Sequence, residues 1–146
     1  MDFVTGRNFF VRDNLPPFFS VAGVEDQGNV YWIFAGLDGR ARLYDKALAP
    51  AGTFSGWGSD IAGIETRCGS GRQVLVTRPS DSIEPDSIQA FEIVNQQAVA
   101  TSPPLELPGP VTALWQAEGK NAAVVVSRSL KTGRYAAFHL SISCGR

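Results

Sequence analysis

This sequence predicts an all-β fold of three repeated, four-stranded antiparallel units, and three observations carry the prediction. Apolar residues come in short runs or alternate with polar ones, and Gly, Pro, Asn, Asp or Ser closes each run within about four to eight residues, as in strands joined by turns. The 146 residues include 15 Gly and 9 Pro, a composition suited to many turns and few long helices. Aromatic side chains also recur at one interval: Tyr44 in RARLYD, Phe91 in SIQAFE and Phe138 in RYAAFH lie 47 residues apart, from 44 to 91 and from 91 to 138.

The expected strands follow in chain order. Phe18–Gly23 carries the small residues of SVAGVE, and Val30–Gly36 is the apolar run VYWIFAG. Asp38–Gly39 makes the tight turn into Arg40–Asp45, because Gly readily takes positive φ. The segment YDKALAPAG holds one helical turn at most, since Pro50 and Gly52 end it before the strand Gly52–Gly56. A second unit repeats the order with Asp60–Arg67 (DIAGIE), Gln73–Arg78, Ser87–Val94 and Ala98–Ser102 within QAVATSPPLEL. A third supplies Val111–Ala117 (PVTALW), Ala122–Arg128 and Arg134–Ile142, with no fourth strand after it. Small residues suit the first strand of each unit if neighbouring sheets crowd it. The offsets between units differ where hairpin lengths differ, as in RPSDSIEPDS against RSLKTG, and loop insertions are thermodynamically mild.

The chain therefore divides as one domain, 1–146, with an N-terminal strand and linker at 1–16 and units at 17–58, 59–109 and 110–146. RNFFVRD (7–13) is strand-like and stands before the first small-residue strand as a fourth strand would.

The succession of a small-residue strand, VYWIFAG, an LDGR turn and ARLYD resembles blades of β-propellers in the broad WD40, quinoprotein and FG-GAP group. The resemblance covers about residues 17–142 and implies a propeller-like architecture, with no functional residue carried over. The alternative is a β-trefoil, which also uses three four-stranded repeats but carries larger residues on its barrel strands. Propellers have roughly 4–8 blades, so three units imply a half or partial propeller completed by another copy of the chain or by further blades.

Composition narrows the function. With 44% hydrophobic and 18% charged residues and a formal net charge of −1, the chain lacks the basic field that recruits nucleic acid. No apolar run is long enough for a membrane helix, and MDFVTGRNFF lacks the pattern of a secretory signal. Cys68 and Cys144 follow parallel strands of adjacent units, so a disulfide and two separate thiols are both open. A bond implies an extracytoplasmic location, and free thiols a cytoplasmic one. With His139 as the single histidine, no metal site is expected, and His139 takes the exposed slot that Asp45 and Glu92 occupy in the other units.

No nucleophile–base motif, phosphate loop or cofactor fingerprint occurs, which points to a non-catalytic binding or assembly module with no cofactor. Its partners are expected to be another copy of itself, further blades, a protein or a glycan. The candidate ligand patch is Trp57, Asp60, Arg78, Asp81 and Glu84, on the loops of one face, although solvated turns and inter-blade packing account for the same residues. The acidic residues Asp81, Glu84 and Asp86 have oxygen ligands for a hard cation but not the spacing of a calcium loop, so turn chemistry is the expectation. Two other readings stand beside this one. In a lectin-like domain Trp32, Trp57 or Trp115 would stack on sugar; in a larger propeller enzyme, missing blades would supply the catalytic groups.

Overall fold

The computed structural model describes residues 15–38, 40–54, 60–69, 71–78, 84–119 and 121–144. The first sheet begins with β1 (Phe18–Asp26) and β2 (Asn29–Gly36), joined by Gln27 and Gly28 at φ of 50° and 81°. Two consecutive positive φ values match the right-handed twist of the flanking strands. β3 (Ala41–Asp45) and β4 (Pro50–Thr53) complete the meander. Between them the Asp45 carboxylate accepts the N–H groups of Ala47 and Ala49 at 2.9 and 3.0 Å, so this segment is a turn and not a helix.

The second sheet contains β5 (Ile61–Glu65), β6 (Arg72–Arg78), β7 (Ser87–Val94) and β8 (Gln97–Ala100), with β9 (Leu105–Glu106) also on β7. β8 and β9 share the β7 edge away from β6, as one strand interrupted at Thr101–Pro104. Pro103 and Pro104 have no N–H to donate there, and the Ser102 hydroxyl instead accepts the Ala90 N–H at 3.0 Å. The third sheet is β10 (Val111–Gln116), β11 (Ala122–Arg128) and β12 (Tyr135–Ser141). All pairings are antiparallel, and the sheets of four, five and three strands are open. A trefoil's closed barrel does not form among the described residues.

Two differences from the expected strands have local causes. β4 starts at Pro50 and not Gly52, because an edge strand tolerates a residue without a donor. β8 ends at Ala100, two residues early, where Ser102 takes over the ladder bond.

The sheets stack in chain order, with β1 beside β5, β5 beside β10 and β4 beside β8. Ala22, Val24, Ile33, Leu43, Val74, Val76, Phe91 and Ile93 form the core between the first and second sheets. Ile64, Leu75, Ile88, Leu107, Ala123 and Val125 form the core between the second and third. The alternating side chains of β6 and β7 divide between these cores, so the middle sheet is buried on both faces. Small residues permit the close stacking: a Cβ on Gly63 would stand 3.2 Å from the Gly23 carbonyl oxygen. Between β4 and the β7–β8 turn the approach is tighter, for a Cβ on Gly52 would overlap the Gln96 carbonyl.

Candidate functional site

Of the expected ligand patch, Trp57 and Asp81 lie outside the described residues, as does Gly39 of the first hairpin turn. Asp60, Arg78 and Glu84 gather at one end of the second sheet. Asp60 stands beside Thr77, Arg78 is in register with Ser87, and Glu84 precedes β7. Asp60 is built into the strand start. Its carboxylate accepts the Ile61 N–H at 2.9 Å, and its carbonyl accepts the Thr77 N–H at 2.9 Å and hydroxyl at 3.3 Å. Burial pushes its carboxyl above the ordinary aspartate range, opposed by the Ile61 N–H and the Ser20 hydroxyl. That hydroxyl sits beside both the carboxylate and the Ile61 carbonyl, 3.3 Å from the latter. Arg78 and Glu84 are exposed.

Asp86, the third acid of its loop, is buried and fastens the second sheet to the third: its carboxylate accepts the Val111 N–H at 2.8 Å. Among the described residues, no three His, Cys, Asp or Glu side chains gather as a metal site. Asp38 works within its own hairpin. The Arg42 guanidinium grips its carboxylate at both oxygens and the Arg40 N–H bonds it at 3.2 Å, holding its pKa down at about 2.

Cys68 and Cys144 lie at disulfide distance, with S–S 2.01 Å and Cα–Cα 5.2 Å. The pair joins the loop after β5 to the residues after β12. Asn121, at φ 63°, reinforces the same corner: its amide oxygen accepts the Arg67 N–H at 2.7 Å, its N–H donates to Glu65 and its carbonyl accepts the Ile142 N–H.

A groove of about 730 Å³ begins at this corner and runs between β7 with its β8–β9 edge and β12. Ile88, Ala90, Leu105, Leu140 and Ile142 make its apolar surface. Its polar groups are tied to one another: Gln73 donates to Glu92 at 3.3 Å and accepts from Thr101 at 3.1 Å, and Gln89 donates to the Ser102 carbonyl at 2.7 Å. The expected patch is at the hairpin end of the second sheet, and the sequence reading missed this groove. The available signal was the third unit's lack of a fourth strand, which sets the edge of β12 beside this groove.

The two end sheets present further surface. Trp32, 37% exposed, lies over Gly23 on the outer face of the first sheet, near Val21 and Val30. On the third sheet Trp115 is 46% exposed and pairs with Val124, while Tyr135 and His139 are exposed on β12.

No family model, curated protein or solved structure matches this chain. The geometry therefore carries the functional reading. It offers exposed apolar side chains on the end sheets, a β12 edge that is open among the described residues and a groove whose side-chain polar groups are largely satisfied internally, an arrangement suited to binding a chain or a sheet. No helix of the described residues is long and apolar enough to cross a membrane.

Proposed function

We propose that the protein is a non-catalytic, propeller-like assembly module whose end sheets are covered by another copy of itself or by further blades. The observation that carries this reading is the contrast between the sheets. The middle sheet is buried on both faces, whereas the outer faces of the end sheets leave large apolar side chains in solvent, Val21, Val30 and Trp32 on the first and Trp115 and Tyr135 on the third. Stacking the third sheet of one copy on the first sheet of another repeats the packing already present within the chain. Two copies give six sheets, inside the roughly 4–8 that closed propellers use. The Cys68–Cys144 pair supports an extracytoplasmic setting, where such bonds persist.

Light scattering across a micromolar concentration series tests the assembly. The expected mass is twice that of the chain, falling to one copy for Trp115→Glu, which places a charge on the outer face of the third sheet. A wild-type chain that stays monomeric throughout refutes self-assembly. A second reading, glycan binding, is supported by the exposed Trp32 and Trp115 rings, since an indole face can stack on a sugar. It predicts saccharide-dependent quenching of tryptophan fluorescence that Trp115→Ala reduces.

A further inference from the structure

We propose that the groove between β7 and β12 is a strand-docking site whose occupant is residues 7–13 of a second copy. This rests on the assembly reading and names the segment that joins the copies. The first and second sheets each carry a fourth strand position, whereas β12 pairs only with β11 among the described residues. The Ile142 N–H donates to Asn121 at 2.8 Å and the Ser129 N–H to Arg134 at 2.9 Å, so the even-numbered residues of β12 bond to β11. Antiparallel ladders alternate, and the backbone groups of Tyr135, Ala137, His139 and Ser141 consequently point to the open edge. All four residues are exposed.

The apolar surface that an added strand would cover is also present. Ile88 and Leu105 on one wall face Leu140 and Ile142 on the other. Between the first and second sheets, the chain leaving the fourth strand fills its interface with Phe54, whose ring meets Phe91 edge-on at 5.4 Å between centroids. Between the second and third sheets the chain leaving β9 contributes the smaller Leu107, and no aromatic side chain of the described residues lines the groove. A strand on β12 would restore both the ladder and the packing, the combination that makes strand addition specific.

The path of the N-terminal chain selects a second copy. Leu15, Pro16 and Pro17 lie against Phe18, Phe34 and Tyr44 on the outer face of the first sheet, and the Leu37 N–H donates to Pro17 at 3.1 Å. Leu15, the first described residue, therefore stands on the side of the stack opposite the third sheet. A second copy that seated its first sheet on the outer face of the third would bring its Leu15 to the side of the stack on which β12 has its open edge. RNFFVRD has the same seven-residue length as β12, and in extended form Phe9 and Val11 would share one side, flanked by Arg7 and Asp13 at its ends, and offer the groove an apolar centre.

The test uses the full chain with benzoylphenylalanine in place of Phe9, mixing isotopically heavy and light copies before irradiation. Cross-links from position 9 to Ile88, Leu105 or Leu140 that join heavy to light peptides are expected. Cross-links confined to single chains, or to other surfaces, overturn the proposal. A fluorescent peptide of residues 5–14 is then titrated into the chain lacking residues 1–14, where saturable binding is expected. Ala137→Pro removes an N–H from the open edge and spares the β11 ladder, so it should weaken the peptide at least tenfold with circular dichroism unchanged. Equal affinity for both proteins overturns the proposal. If the truncated chain keeps the dimer mass and does not bind the peptide, strand exchange fails while assembly stands. A full chain that is monomeric at every concentration removes the assembly reading itself.

Discussion

Replacing Cys68 and Cys144 together by Ser should cost about 4–5 kcal/mol of stability. The bond spans 76 residues of sequence, and cross-linking a loop of that length removes roughly this much chain entropy from the unfolded state, strain aside. For a chain of this size each kcal/mol is worth about 2–4 °C in Tm, so the double variant should melt about 10–15 °C below the oxidised protein. Urea unfolding followed by tryptophan fluorescence measures the same loss, and adding a reductant to the wild type should reproduce it without mutation. A local effect accompanies the global one. Ile142 keeps its hydrogen bond to Asn121, so β12 should stay paired through Ile142 while exchange protection falls in residues 143–144. Two results would refute the reasoning: equal urea midpoints for the double variant and the oxidised wild type, or alkylation of both thiols under denaturing, non-reducing conditions.

Three further outcomes follow from close contacts and charge. Gly52→Ala and Gly109→Ala each drive a Cβ into a backbone carbonyl, of Gln96 and of Arg128, and should each destabilise by about 1–3 kcal/mol or more in urea titrations. Asp38 should titrate near pH 2 by carbon-detected NMR, returning toward the ordinary aspartate value in Arg42→Ala. Because its folded pKa is depressed, its contribution to stability is present above the unfolded value and is lost as pH falls toward 2. Asp60 has the opposite sign. Its pKa is raised by burial, so its contribution is complete below the unfolded value and is lost as pH rises through the folded one; Asp60→Asn should flatten that part of the stability profile measured by urea unfolding.

Strands were legible wherever period-2 alternation met firm turn residues. Ser87–Val94 and Ala122–Arg128 coincide with β7 and β11, whereas β1 runs to Asp26, three residues past the expected end at Gly23, because the chain reverses only at Gln27–Gly28. Boundaries drifted where side chains, and not backbone pattern, set the ladder, as at Pro50 and Ser102. The two residues of β9 are too few to show a period. For the site, local sequence carried less. Asp86 reads as one more acid in a turn because its partner, the Val111 N–H, belongs to the next sheet. The groove is a juxtaposition of β7 with β12, and no local pattern encodes the gap between them. The cysteine pairing stood between these cases. Parallel strands placed both thiols at one end of adjacent sheets, but only the meeting of the Arg67–Gly69 loop with the chain after Ile142 brings them to bonding distance.

That corner also bears on how the open edge is kept usable. An unpaired strand is normally an aggregation hazard, and proteins shorten, charge or cover such edges. β12 has seven residues, and its exposed odd positions are Tyr135, Ala137, His139 and Ser141, with no carboxylate or lysine among them. Nothing in that composition repels an incoming strand. The disulfide and the Asn121 hydrogen bonds hold the far end of β12, one wall of the groove, against the middle sheet. A prepared groove lowers the ordering cost of docking, which favours one register over promiscuous pairing. On the proposed assembly, loss of the disulfide should therefore damage association more than it damages the remaining sheets, because it frees the wall against which an added strand would pack.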